Sequence, residues 1–213
     1  MHHDVAGEIE AAGIVAIVRL DDLDKAVPLT EALVAGGVRA IEFTFTNRLA
    51  GRAIEDVRAT VGDRVLVGAG TVLDAETARI ALLHGAQFIV TPVLDEATIQ
   101  ACSRYAVPSA IGAFTPTEIF RAWQAGATFV KVFPASVGGP KYLKDVRGPL
   151  PQVKLIPTGG VSVETAGEFI KAGAVAVAAG SNLVDAKTVD AEQWDVLTER
   201  AKALVGAVRA ARG

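Results

Sequence analysis

The chain has 213 residues, 51% of them hydrophobic and 21% charged, with a formal net charge of −3, enough apolar material for the core of one ordinary domain. A pI near 5.7 and interspersed charges leave no basic stripe with interleaved aromatics, so nucleic acid is not an expected partner. The longest apolar runs, such as 174–179, fall far short of the roughly 20 residues that cross a bilayer, and residues 1–10 carry acids where a signal peptide has its apolar centre, so a cytoplasmic protein without membrane partners is expected.

In chain order, a short helix near 8–12 precedes a strand over 14–18. Leu23, Ala26, Val27, Thr30, Leu33 and Val34 then fall at helical spacing behind Asp21 and Asp22, which are expected to cap that helix, with Pro28 interrupting its start. Four segments, 33–42, 82–90, 123–131 and 170–178, each close a helix-like stretch on a small glycine step and pass at once into a β-branched run. Between them lie strand candidates at 65–68, 108–111 and 153–156. Helices are expected at 75–83 behind Asp74, 96–105 behind Asp95, 117–124 behind Thr115-Pro116 and 163–171 behind Ser162, with a C-terminal helix over 191–211. His84 stands before Gly85 at a helix end, where capping is its simplest role.

Strand starts recur about every 20 to 27 residues, the length of one strand plus one helix. Nearly continuous apolar strands alternating with helices indicate a parallel sheet covered on its outer face. An open doubly wound sheet would alternate in the same way but has no reason to stop at eight regular units. The sequence therefore predicts an α/β protein, a single (β/α)8 TIM barrel over residues 1–213 with an extra N-terminal and a C-terminal helix. One cysteine, Cys102, excludes an internal disulfide, and three histidines, His2, His3 and His84, leave little material for a metal site.

Barrel chemistry lies at the C-terminal ends of the strands. Lys131 stands out there. It lies within Phe129-Val130-Lys131-Val132-Phe133, where a strand places its amine against an apolar wall. A desolvated amine loses preference for its charged form and becomes a nucleophile able to condense with a carbonyl; the plainer alternative is a snorkelling or ion-paired strand-end lysine. Glu42, after Ala40-Ile41, is a candidate proton carrier for such an adduct, or simply the partner of the lysine. Thr158-Gly159-Gly160 and Gly180-Ser181 follow the seventh and eighth strands, where barrels of this kind hold phosphate on backbone N–H groups. Gly68-Ala69-Gly70 lacks the third glycine of a dinucleotide fingerprint, so no nucleotide cofactor is expected. Arg19 presents a planar fork suited to carboxylate or phosphate, and a surface ion pair is its alternative. Thr44, Thr71 and Thr115 offer hydroxyls, although threonine also favours strands; Pro92, Phe133 and Pro134 suit a pocket wall.

Together, Glu42-Phe43-Thr44-Phe45-Thr46, Gly68-Ala69-Gly70-Thr71-Val72, Phe88-Ile89-Val90-Thr91-Pro92, Lys131-Val132-Phe133-Pro134-Ala135 and Pro157-Thr158-Gly159-Gly160-Val161 resemble the 2-keto-3-deoxy-6-phosphogluconate (KDPG) aldolases and the related 4-hydroxy-2-oxoglutarate aldolases, in order along nearly the whole chain. The resemblance implies a homotrimeric class I aldolase that splits KDPG into pyruvate and glyceraldehyde 3-phosphate without metal or cofactor. It further implies Lys131 as the Schiff-base lysine, Glu42 as the acid/base, Thr71 at the pyruvate carboxylate, and Gly159, Gly160, Gly180 and Ser181 at the phosphate. Three positions depart from the family pattern. Thr46 stands where many members carry a carboxylate-binding arginine, leaving Arg19, or secondarily Arg48, for that contact. Ile111 stands where proline is expected, and Asn182 where others have an aromatic. Two rival readings are a phosphate-binding barrel isomerase or synthase, which leaves Lys131 unexplained, and a non-catalytic trimeric scaffold that binds sugar phosphates.

Overall fold

The computed structural model describes residues 4–213, so His2 and His3 lie outside the described residues. Eight parallel strands form one sheet in the order β7-β6-β5-β4-β3-β2-β1-β8, with β1 at Ile14–Val18, β2 at Ala40–Thr44, β3 at Leu66–Gly70, β4 at Ile89–Val90, β5 at Ser109–Ala113, β6 at Phe129–Val132, β7 at Leu155–Pro157 and β8 at Val177–Ala179. The seam between β7 and β8 is closed by a Thr158–Ala178 bridge and by Val175 N–H donating to Leu155 O at 3.0 Å. This is the expected (β/α)8 barrel.

The helices lie outside it: α1 at Val5–Ala12, α2 at Ala26–Ala35, α3 at Ala50–Val61, α4 at Ala75–Leu83, α5 at Glu96–Arg104, α6 at Pro116–Gln124, α7 at Gly139–Arg147, α8 at Val163–Lys171, α9 at Ala186–Asp190 and α10 at Trp194–Arg212. Side chains of α4, α5 and α6 start where their caps dictate. Asp74 accepts from Thr77 N–H, Asp95 from Thr98 N–H, and Thr115 from Glu118 N–H in a reciprocal capping box. Thr115 thus spends its hydroxyl on the helix.

One expectation changes. Asp21 and Asp22 do not cap α2. Asp22 Oδ1 instead accepts from Asp24 N–H at 2.8 Å, a local turn that competes with helix, and α2 starts at Ala26 with Pro28 in its first turn, where a missing N–H is harmless. The expected C-terminal helix over 191–211 is present as α10, which begins at Trp194. Asp185 caps the short α9, and the chain then turns at Glu192, whose φ is +53°, before α10. At the end of α4, His84 caps as expected, its N–H donating to Ile80 O, and its Nδ1 lies 2.8 Å from Glu55 Oε1.

Strand side chains alternate between two cores. Outward residues such as Ile41, Phe43, Val67 and Val130 pack under the helices. Inward residues Val15, Ile17, Leu66, Phe88, Phe129 and Ile156 fill the barrel, joined by Ile9 from α1. Ile9 therefore corks the N-terminal end of the barrel. Arg212 holds α1 in place from the last turn of α10, donating to Ala11 O, Glu10 O and Val175 O at 2.6–2.8 Å. Ile9 is 2% exposed; Ile9→Ala is expected to destabilise the fold by about 2–4 kcal/mol, measured by urea unfolding, and a loss below about 0.5 kcal/mol would show that the cork carries no packing energy.

Candidate active site

Lys131 and Glu42 both point into the barrel because their strands alternate. On β6, Val130 and Val132 face the helices and Lys131 faces inward; on β2, Ile41 and Phe43 face out and Glu42 inward. Lys131 is 3% exposed and Glu42 1%. Neither makes a hydrogen bond or contact ion pair among the described residues, and Glu42 Oε2 is buried without a protein partner.

Interior glycines make the room. Lys131 sits in register with Gly112, and Glu42 with Gly68. A Cβ on Gly70 would lie 2.6 Å from Glu42 Oε1, and one on Gly68 would lie 2.4 Å from the Phe88 ring. The run Gly68-Ala69-Gly70 thus serves to seat a carboxylate and an aromatic ring within a sheet. The signal was available as glycine at alternate, inward positions of a strand. Gly112 admits backbone in the same way, since its Cβ would meet Pro92 C at 2.2 Å.

Burial sets the electrostatics. Desolvation pushes the Glu42 carboxyl above the usual range, against the opposing pull of Lys131 and Arg19. Desolvation also pushes the Lys131 ammonium below its usual range, assisted by Arg19 and opposed by Glu42. Each group is displaced toward its neutral form, a direction that favours the amine as a nucleophile and the carboxyl as a proton donor.

A cavity of about 230 Å³ opens above the amine, lined by Arg19, Lys131, Phe133, Gly159, Gly160, Gly180 and Ser181, with Ile17, Thr158, Val161, Asn182 and Val184. Seven of the residues singled out from the sequence thus meet in one place. A deeper void of about 10 Å³, at the threshold for one water molecule, is lined by Glu42, Lys131, Thr158 and Ser109 among apolar residues. Lys131 and Thr158 therefore face both chambers, while Glu42 reaches only the inner one. Phe133 walls the amine, with Lys131 Nζ 5.2 Å from its ring centroid. Arg19 Nη2 donates to Thr71 Oγ1 at 3.2 Å. Thr71 itself has φ +55°, a left-handed conformation that costs a β-branched residue about 1–3 kcal/mol.

Thr44, Thr71 and Pro92 line neither chamber. The Thr44 hydroxyl is shared with Thr46 at 2.9 Å, and Pro92 contributes backbone to the strand crossing beside Gly112. The Thr91 hydroxyl fastens that crossing, donating to Val93 O and accepting from Gly112 N–H at 2.6 and 2.9 Å. The exposed Arg48 also lines neither chamber. The sequence reading passed over Ile17, Val184, the Thr158 side chain and the contact made by Asn182. The last two carry no motif of their own and depend on how the β7 and β8 loops come together.

Those loops have a consistent polarity. Thr165 Oγ1 donates to Gly160 O at 3.1 Å, Asn182 Nδ2 to Val161 O at 2.8 Å, and Leu183 and Val184 N–H to Gly180 O at 2.8 and 2.9 Å. Among the described residues, the N–H groups of Gly159, Gly160, Val161, Ser181 and Asn182 donate to no protein acceptor. Gly159 and Gly160 have φ of +96° and +74°, which only glycine adopts cheaply. Engaged carbonyls beside free N–H groups form a cradle for an anion. No helix among the described residues is long and apolar enough to cross a membrane.

A family model described as KDPG and KHG aldolase matches residues 5–200. The chain belongs to this family. The 2-dehydro-3-deoxy-phosphogluconate aldolase of Treponema pallidum is 35% identical over 202 residues, covering 93% of this chain and 96% of its own. A solved structure described as native KDPGal superposes with a TM-score of 0.87 at 32% identity, covering 93% of this chain and 95% of its own. A KDPG aldolase from Legionella pneumophila, solved with pyruvate captured as a covalent carbinolamine, superposes with a TM-score of 0.87 at 30% identity, covering 93% of this chain and 97% of its own.

The coupling within the buried pair is testable on the protein itself. Labelling of Lys131 by a small aldehyde and cyanoborohydride, followed by peptide mass mapping, is expected to reach half its maximal rate below the roughly 10.4 of an ordinary lysine. Glu42→Gln removes the anion that favours the ammonium, so the midpoint should move lower still. A midpoint unmoved or raised in the variant would contradict the coupling.

Proposed function

We propose that this protein is a class I aldolase that cleaves a phosphorylated 2-keto-3-deoxy sugar acid, KDPG, to pyruvate and glyceraldehyde 3-phosphate. The observation that carries the reading is a desolvated amine and a desolvated carboxyl inside one barrel, below a cavity whose far side is an anion cradle. In this reading Lys131 Nζ attacks the C2 carbonyl, and the carbinolamine takes the Glu42 proton and loses water, leaving a protonated imine and a Glu42 carboxylate. Glu42, acting through a water in the inner chamber, takes the proton of the C4 hydroxyl. The C3–C4 bond then breaks: its electrons pass into the imine as an enamine, and C4 leaves as the aldehyde of glyceraldehyde 3-phosphate. Protonation at C3 and hydrolysis of the imine release pyruvate and restore the amine. The iminium is the electron sink, so neither metal nor cofactor is called for.

Arg19 and Thr71 are assigned to the substrate carboxylate, since their bond holds a guanidinium and a hydroxyl together at the rim. Gly159, Gly160, Gly180 and Ser181 are assigned to the phosphate, and Phe133 to the wall against the substrate chain; Thr44 and Pro92 support the site from behind. The protein is assigned to the cytoplasm. A homotrimer is proposed on the exposed apolar residues Leu73, Val93 and Val137, 58%, 51% and 70% exposed, in loops that follow β3, β4 and β6 at the mouth end. Light scattering at micromolar concentration is expected to give three times the 22.1 kDa chain mass; a monomer would remove that assignment.

Borohydride reduction in the presence of pyruvate is expected to leave a stable adduct on the peptide containing Lys131, with activity lost in step. An unmodified peptide alongside full inactivation, or turnover unaffected by borohydride and pyruvate, would overturn the Schiff-base reading. Pyruvate release should be detected with KDPG, its galactonate epimer or 4-hydroxy-2-oxoglutarate, unaffected by chelator and abolished in Lys131→Ala. In Glu42→Gln, turnover should fall roughly 10²–10⁴-fold while adduct formation with pyruvate persists. Arg19→Ala should act mainly through KM for the keto acid.

A further inference from the structure

We propose that Asn182 is a positioning residue that sets the preference for phosphorylated over unphosphorylated substrate by locking the two halves of the anion cradle together. The inference rests on the aldolase reading above and extends it to a residue outside the reacting centre. The cradle is built from loops of two different strands, and the link between those strands is slight: β7 and β8 meet at the single Thr158–Ala178 bridge and the Val175–Leu155 hydrogen bond. Above that seam, Asn182 Nδ2 donates to Val161 O at 2.8 Å across 21 residues of sequence. Val161 is the residue that follows the glycine pair, and Asn182 the one that follows Ser181, so the bond runs from one half of the cradle to the other.

Its consequences are electrostatic as well as geometric. A trans peptide is planar, with its C=O and N–H pointing in opposite directions. Fixing Val161 O therefore fixes the Val161–Ser162 peptide, whose N–H is received by Thr165 Oγ1 at 2.9 Å. Thr165 Oγ1 in turn donates to Gly160 O. Asn182 and Thr165 together hold the carbonyls of Val161 and Gly160, the groups that would repel an anion, beside the N–H groups of Gly159, Gly160 and Val161, which have no protein acceptors. Removing the amide unfastens Val161 O and takes away the side-chain tie between the two loops. Binding a phosphoryl group then requires ordering them first, and that penalty does not apply to a substrate with no phosphate.

The test compares kcat/KM for KDPG with kcat/KM for the same keto acid lacking its phosphate, in wild type, Asn182→Ala and Asn182→Asp. In Asn182→Ala the ratio is expected to fall about tenfold, through KM for the phosphorylated substrate, and the inhibition constant of inorganic phosphate should rise by a similar factor. Adduct formation between pyruvate and Lys131 should continue. Asn182→Asp keeps the shape but replaces the donor with an anion facing Val161 O, and should lower the ratio further. A ratio within twofold of wild type in both variants would overturn the proposal. So would an equal fall for both substrates, which would mark Asn182 as a general support of the barrel. Failure of wild type to form the pyruvate adduct would overturn the aldolase reading, and this inference with it.

Discussion

The structure is organised around the removal of one primary amine from water. An ammonium at the position of Lys131 would lose most of its hydration, and nothing in the barrel replaces it with a contact ion pair. The surroundings weaken the charged form without abolishing it: Glu42 is near enough to favour the ammonium and Arg19 to oppose it. A closer carboxylate would hold the amine protonated and inert. A more distant one would leave no acid in reach of the reacting carbons. Backbone makes part of the room, since glycine stands on one side of each group in the sheet register and Ile17 or Ile156 on the other.

The barrel divides its labour along its axis. At the N-terminal end, Ile9, Phe88, Phe129 and Ile156 form an apolar core beneath the small inner void, and α1 is held against it by Arg212. At the C-terminal end the inward positions become small or polar, and the interior opens from the tight void that Glu42 reaches into a chamber with an anion cradle on one wall and Arg19 on another. Packing energy and chemistry are thus supplied by the same strands, at opposite ends. The stiff lower core is what allows an uncomfortable pair of groups to be tolerated above it.

Much of this was legible from residue order. The glycine step before a β-branched run appears four times and marks β2, β4, β6 and β8, because a left-handed helix end followed by strand formers has few other uses. Lys131 and Glu42 were legible because a charge in an apolar strand demands an explanation. What was obscured were features in which one local preference competes with another. Asp22 had two possible partners and took the nearer turn, so α2 begins later than its apolar spacing suggests. Glu192 turns the chain between α9 and α10 at a positive φ, so the last helix begins at Trp194 rather than 191, with no glycine or proline to announce it. The amide of Asn182 and the hydroxyl of Thr158 have partners or neighbours set by the closure of β7 on β8, and no spacing along the chain encodes that seam. The place of Arg19 beside Thr71, across 52 residues, was readable only through barrel topology.

The glycines at 68, 70 and 112 also bear on how such a protein can diversify. Each faces inward onto a carboxylate, a ring or a neighbouring main chain, so almost any replacement would collide with the acid or with the packing around it, and the floor is closed to tinkering. The rim is not: Thr46 and Asn182 stand on loops, clear of those collisions. New substrate ranges would therefore arise by exchanging rim residues over an unchanging floor.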